Sequence, residues 1–314
     1  MAQVSIIGGG NVGANAAFFI AEKGVTDVLL VDIKAGLSRG KMLDIMEAAP
    51  IRRYRNQLAG SESLDDIKGS QFVVLGAGAI RSPGMRREEL FATNAGLIRE
   101  LAPQIARLAP DAVVVVATEP VDALTTLFTR ASGFPRARVL GLGGILDSTR
   151  LRALVARELE MSMEVVTAMV IGRHSDDMIF LPRYCTVGGV PLPLLLPPEK
   201  VATLISETRA AGDLLVDLAR RSSAYYAPSA AIAELADSVH MNLNRLFCPS
   251  LVLEGEFGVE GAALSVPAFV GARGAERVVT PELTADELKA LQESGRKVAE
   301  QLRGAAAHNA GGAK

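Results

Sequence analysis

The sequence predicts an α/β fold: a doubly wound parallel sheet over residues 1–150, then a mixed α+β region over 151–314. Two observations carry this reading. Short apolar runs alternate with helix-patterned segments up to Arg150, and the runs are continuously apolar rather than alternating, as expected for parallel strands covered by helices on both faces. Past Arg150 the texture changes to long helices interleaved with strand-like stretches.

QVSIIG (3–8) is a β-branched run that meets glycines, followed by an Ala/Phe-rich helical stretch from Asn11 to Lys23 and a second run, DVLLVD (27–32). This is a β-α-β unit. FVVLG (72–76), AVVVVA (112–117) and RVLGLG (138–143) continue the series, separated by helical segments such as NAGLIRELAPQIARLA. The second half begins with a helix, LRALVARELE, and continues through VVTAMVIG and RYCTVGGVPL. Long helices follow, then two strand-like runs around SLVLEGEFG and ALSVPAFVG, assigned here to the second domain. The end, RGAAAHNAGGAK, is small, polar and Gly-rich, and a flexible tail is expected over about 304–314, carrying His308.

Hydrophobic residues make up 49% and aromatics 4% with no Trp, so the core must be aliphatic. A formal charge of −2 gives no field for wrapping nucleic acid or coating an anionic membrane, so any anion site is local. Cys185 and Cys248 form neither a CxxC pair nor a metal-ligand spacing, which points to free thiols, a reducing compartment and no metal. The start lacks a charged leader, and the most apolar later run, VPLPLLLPP, is short and broken by prolines; a cytoplasmic protein without a membrane span is expected.

Gly8-Gly9-Gly10-Asn11-Val12-Gly13 has the form GxGxxG after a strand and at a helix start. Glycines there permit a tight turn and close backbone approach, and the helix N-terminus offers N–H groups to a pyrophosphate. Gly8, Gly10, Asn11, Val12 and Gly13 are therefore candidate cofactor-binding residues. Asp32, ending the second strand, can accept hydrogen bonds from ribose hydroxyls and repel a 2′-phosphate, favouring NAD over NADP. A plain glycine turn and a solvent-facing Asp are the alternatives that the residues alone leave open.

A dehydrogenase acting on a hydroxy acid needs a proton acceptor, a cation for each carboxylate and a donor that polarises the carbonyl. From VSIIGGGNVG through LDSTRLR to SAYYAP and VPAFVG, the chain resembles the lactate/malate dehydrogenase family, in particular its lactate-dehydrogenase-like malate enzymes. The resemblance implies a Rossmann sheet, NAD, a small dicarboxylate substrate and a homotetramer or homodimer. The stretch AIRSPGMRREEL (79–90) resembles the family's substrate-closing loop. Arg81 then falls where malate enzymes grip the distal carboxylate, and Arg87 on the arginine that polarises the reacting carbonyl. Gly76, Gly78 and Gly84 suit a closing lid. LDSTRLR implies Asp147 as the carboxylate orienting the catalytic histidine and Arg150 as the clamp for the other substrate carboxylate; spacing alone equally fits an N-cap Asp in an intrahelical ion pair. GRHSDD (172–177) implies His174 as the acid/base, where a lone histidine at a strand end would otherwise be structural. Asn94 joins the cofactor-binding set.

The chain departs from the family at several points. Thr118-Glu119-Pro120-Val121-Asp122 stands where the family has TNPVD, putting Glu119 where an Asn would contact substrate and the nicotinamide ribose, so Glu119 is a candidate for both substrate and cofactor binding. At about 4 Å and an effective dielectric of about 20, a carboxylate facing an anionic substrate costs roughly 4 kcal/mol unless compensated. Arg173 and Ser175 replace glycines flanking the histidine, Phe180 stands where Pro is common, and Arg86 adds a cation; a charge exchange of Glu119 with Arg173 or Arg86 is expected, the alternatives being a protonated Glu119 or one turned away. The expected activity is NAD-dependent malate dehydrogenation. The alternatives are another 2-hydroxy acid such as lactate, and a catalytically impaired NAD-binding homologue.

Overall fold

The computed structural model describes residues 4–79, 87–219 and 224–311. Six strands alternate with helices: β1 (Val4–Ile7), α1 (Asn11–Lys23), β2 (Val28–Val31), α2 (Leu37–Arg52), β3 (Leu58–Ser61), β4 (Phe72–Leu75), α3 (Arg87–Leu108), β5 (Val113–Val116), α4 (Val121–Ser132), β6 (Val139–Gly141) and α5 (Gly143–Glu158). The first six strands are parallel, in the order β3-β2-β1-β4-β5-β6 from one edge. The order reverses between β1 and β4, and the crevice above the carboxyl ends of these strands is where such sheets bind ligands. The β-branched runs occupy this layer for a physical reason: Val113 to Val116 are buried between helices on both faces, with α3, α4 and the C-terminal helix on one side and α1, α2 and a later helix on the other.

Short strands follow: β7 (Val166–Thr167), β8 (Val170–Ile171), β9 (Ile179–Phe180), β10 (Thr186–Val187) and β11 (Val190–Pro191). After them come α6 (Pro198–Ala219), α7 (Tyr226–His240), β12 (Arg245–Phe247), β13 (Ser250–Glu254), β14 (Glu260–Ser265), β15 (Ala268–Gly271), β16 (Gly274–Val278) and α8 (Ala285–Gly311). The second half also contributes strands to the central sheet. β13 and β14, read as part of a separate second domain, extend the central sheet antiparallel beyond β6, making it eight-stranded. Their apolar faces, with Leu251, Leu253, Ala262 and Leu264 buried, belong to the same core cluster as the parallel strands. A smaller apolar cluster under α5 and α6 includes Leu151, Val155, Met178, Phe180 and Leu204. Phe180 thus sits in that core with Arg209 over its ring. The backbone of α8 continues through Gly304 and the Ala-rich run to Gly311, in keeping with the high helix propensity of Ala. Among the described residues no helix is long and apolar enough to cross a membrane.

The β1–α1 turn shows why its residues are glycine. Gly8 has φ +110°, and a Cβ on Gly13 would lie 2.0 Å from the Gly8 carbonyl oxygen. Gly13→Ala therefore forces the turn and α1 apart and is expected to destabilise the fold by about 1–3 kcal/mol, the usual cost of overpacking. Thermal unfolding of the variant beside wild type checks this.

Candidate active site

The carboxyl ends of β1 and β2 build an anion and ribose cradle. α1 is N-capped by Gly10, with no side-chain cap bond and no acidic residue in its first turn, leaving its leading N–H groups and positive end open to a phosphate. Nothing lies within 4 Å of where a Gly10 Cβ would stand. The Asp32 carboxylate accepts from the Gly9 N–H at 2.6 Å and the Lys34 N–H at 2.8 Å, so it is fixed beside the glycine turn. These features fit a dinucleotide: backbone donors for the pyrophosphate and an oriented carboxylate for the ribose.

Two further loops meet above β4 and β5. Asn94, buried on α3, accepts from the Ala79 N–H at 2.7 Å and donates to the Ala79 and Glu119 carbonyls at 3.2 and 2.7 Å. Its amide hydrogens are thus committed to the backbone, and Asn94 acts on the crevice by tying the β4 and β5 loops together. Thr118 adds a hydroxyl bond to the Ala77 carbonyl at 2.7 Å.

His174 follows β8, with α5 on one side of its ring and the loop before α4 on the other. Its Nδ1 lies 2.7 Å from Asp147 Oδ2; a carboxylate accepts only, so that nitrogen carries a proton and donates it. Asp147 is 1% exposed and stands inside α5, not at its N-cap. Arg150 lies one turn further on, 13% exposed, with Nη1 3.5 Å from Asp147 Oδ1. The Nε of Arg150 and the Oδ1 of Asp147 are buried without hydrogen-bond partners, so Arg150 has donor capacity left for an anion. The third neighbour is Glu119, whose Oε1 is 3.5 Å from His174 Nε2 and whose Oε2 accepts from the Val121 N–H at 3.2 Å. Burial pulls the imidazolium pKa down, but the charges of Asp147 and Glu119 and the hydrogen bond to Asp147 outweigh it and push the value up to about 10.

The loop carrying His174 tolerates Arg173 and Ser175 because the left-handed position is Gly172, at φ +89°, while neither substituted residue has positive φ. The expected pairing of Arg173 with Glu119 is not what the structure contains. Arg173 instead forks onto Asp177, with Nε at 3.2 Å and Nη2 at 2.9 Å, and Asp177 also accepts from Lys297 of α8 at 2.8 Å and from the Ser175 hydroxyl. An acceptor four residues away in the same loop takes the guanidinium in place of Glu119. Burial acts to raise the Asp177 carboxyl, but these donors outweigh it and hold the group well below the usual range.

Sequence reasoning missed three contributors. Asp122, fully buried, accepts the His174 N–H at 2.8 Å and the Ser250 hydroxyl at 2.6 Å; burial raises its carboxyl to about 6 against these bonds. Ser250 is the second contributor. The third, Ser265, at the end of β14, pairs through its backbone with Gly172, while its hydroxyl accepts the Gly144 N–H at 2.8 Å at the start of α5. One strand end thus holds both the histidine loop and the helix bearing Asp147 and Arg150. The only local signal was a carboxylate in the first turn of α4; its partners lie more than fifty residues away. The proposed lid residues Arg81, Gly84 and Arg86 lie outside the described residues, and Arg87 opens α3.

A doubly wound sheet with a phosphate turn at its crossover, and an imidazole paired with a buried carboxylate beside the next strand ends, defines a nicotinamide-dependent dehydrogenase. Family models described as lactate/malate dehydrogenase, NAD binding domain, and lactate/malate dehydrogenase, alpha/beta C-terminal domain, match residues 2–141 and 145–308. A malate dehydrogenase of Thermomicrobium roseum is 42% identical over 301 residues, 96% of this chain and 97% of the relative. The apo malate dehydrogenase of Picrophilus torridus superposes with TM-score 0.94 at 35% identity, covering 99% of each chain. A lactate dehydrogenase of Cryptosporidium parvum, in complex with lactic acid and nicotinamide adenine dinucleotide, superposes with TM-score 0.92 at 30% identity over 97% of this chain and 98% of its own. The chain belongs to the lactate/malate dehydrogenase family and is an NAD-dependent oxidoreductase.

Asp122→Asn replaces a two-sided acceptor by a group that presents N–H to one of its donors. It is expected to lower kcat by about 10- to 100-fold, the loss of one charge-assisted hydrogen bond, while the NADH dissociation constant stays within about twofold. Steady-state kinetics with a parallel NADH fluorescence titration separate the two effects.

Proposed function

We propose that the chain interconverts L-malate and oxaloacetate, with NAD as hydride acceptor and donor. The observation that carries this reading is the pairing of His174 with Asp147 one helical turn from Arg150, whose buried Nε has no partner. Arg150 binds one substrate carboxylate through a planar fork, and its burial strengthens that bond. Arg81 binds the distal carboxylate and Arg87 polarises the reacting carbonyl, both assigned from sequence. His174 Nε2 removes the hydroxyl proton as C2 loses hydride; Asp147 keeps the ring oriented and stabilises the imidazolium that results. When bound, NAD would supply the hydride acceptor; the Gly8–Gly13 turn and Asp32 would hold it, and Asn94 ties together the β4 and β5 loops, the latter bearing Glu119.

The relatives named malate dehydrogenase support the substrate, and Arg81 in place of a neutral residue favours a dicarboxylate over lactate. A division near residue 150 into a nucleotide half and a substrate half accords with the two family matches. A homodimer or homotetramer is supported by exposed apolar side chains on α2 (Leu43, Met46, Ile51) and α6 (Leu214, Leu218). A cytoplasmic setting is supported by the buried free thiols of Cys185 and Cys248.

The test is NADH consumption with oxaloacetate, pyruvate and 2-oxo acids of intermediate length. Oxaloacetate is expected to exceed pyruvate by roughly 100-fold in kcat/KM, the worth of one charge-paired carboxylate; a pyruvate preference would move the assignment to lactate, and NADH binding without turnover to a non-catalytic homologue. In a separate measurement, Arg81→Gln is expected to narrow the oxaloacetate-to-pyruvate ratio by about tenfold or more. An unchanged ratio would remove Arg81 from the substrate site.

A further inference from the structure

Both ring nitrogens of His174 face carboxylate oxygens: Nδ1 faces Asp147 at 2.7 Å, and Nε2, the atom left for substrate, faces Glu119 at 3.5 Å. A neutral imidazole has one N–H, so one of the two carboxylates would then face a lone pair. Only the imidazolium presents a proton to each. The other charged groups around the ring do not cancel this arrangement. α5 contributes Asp147 and Arg150, and α4 contributes Asp122, bound to the His174 backbone N–H. On the histidine's own loop, Arg173 and Asp177 are paired with each other, and Lys297 of α8 is committed to Asp177; Asp176 lies between them in sequence. Among the described residues, the three carboxylates of Asp147, Glu119 and Asp122 face one cation outside that loop's own pairs, Arg150 of α5.

Glu119 is placed to come and go. Its Oε2 rests on the first N–H of α4, while the side chain is 51% exposed, so it can turn to water when a substrate oxygen takes its place on Nε2. That exposure also screens its charge, so the penalty expected from sequence is an upper bound.

We propose that Glu119 is a positioning residue, the counter-ion of the substrate-facing nitrogen of His174, and that it holds the ligand-free site in the form that donates a proton, ready for reduction of a 2-oxo acid. The proposal rests on His174 being the acid/base of the reaction. In the reducing direction, C2 of the 2-oxo acid gains the hydride supplied by NADH and the carbonyl oxygen gains the Nε2 proton. The carbonyl π bond becomes the C–H and O–H bonds of the hydroxy acid, leaving NAD and neutral His174. In the oxidising direction, the hydroxyl proton needs a neutral Nε2, and a facing carboxylate makes that form scarcer. The elevation of the imidazolium to about 10 agrees with this arrangement. Below that pH the neutral form falls tenfold per unit, so oxidation is expected to rise with pH across the neutral range while reduction holds its rate.

The experiment is a pH titration of ¹⁵N-histidine-labelled protein by NMR; the chain has three histidines, and His174→Asn identifies the signal. Glu119→Gln and Glu119→Asn are compared with wild type. The His174 midpoint is expected to fall by about one pH unit or more in both variants, a tenfold change in the neutral fraction at neutral pH. The acid limb of kcat/KM for 2-hydroxy acid oxidation is expected to move down with it. A midpoint unchanged within about 0.3 unit in both folded variants overturns the proposal. Because the titration is read on the free protein, it stands whether or not oxaloacetate proves to be the substrate, and lack of turnover would strike the malate assignment alone.

Discussion

The site depends on one buried interaction, the hydrogen-bonded pair between His174 and Asp147. A carboxylate that is 1% exposed has lost its water and must be paired or protonated, and the imidazole is its partner at 2.7 Å. The same contact selects which ring nitrogen is left for substrate. The surrounding structure keeps two segments 27 residues apart in register: α5, which carries Asp147, and the loop after β8, which carries His174.

The antiparallel strands added beside β6 perform that task. Ser265 binds the start of α5 with its hydroxyl and the loop at Gly172 with its backbone; Ser250 donates to Asp122, which accepts the His174 N–H from the other side. Arg173, Asp177 and Lys297 close the loop against α8. Neutral hydroxyls and one carboxylate buried without a cation of its own thus frame the imidazole, and the full ion pairs lie a few residues further out. Among the described residues, charge balance at the ring is consequently left to Asp147, Arg150 and Glu119.

Much of this was legible in the sequence, where local pattern suffices. The β1–α1 turn, the four apolar runs after it, Asp32, and the i, i+3 spacing of Asp147 and Arg150 are features of neighbouring residues. β3, reading LAGS, has no apolar pattern and is defined by its pairing with β2. SLVLE reads correctly as a strand, but its place beside β6 in the central sheet was not legible, because apolar character says that a strand is buried and not against what. Asp122 stood in plain view beside Glu119, yet its roles require Ser250 and the His174 backbone, which only the fold brings near. Pairing Arg173 with Glu119 failed for the converse reason: Asp177, four residues away, satisfies that arginine first.

The central claim is that Asp147 makes His174 the proton carrier of an NAD-dependent hydride transfer. The most direct measurement is the single-turnover rate of NADH oxidation by oxaloacetate in Asp147→Asn, with NADH affinity measured in parallel. The account predicts a rate lower by about 100- to 10,000-fold, the usual worth of acid–base catalysis, with NADH affinity kept. A variant that turns over at the wild-type rate would contradict it.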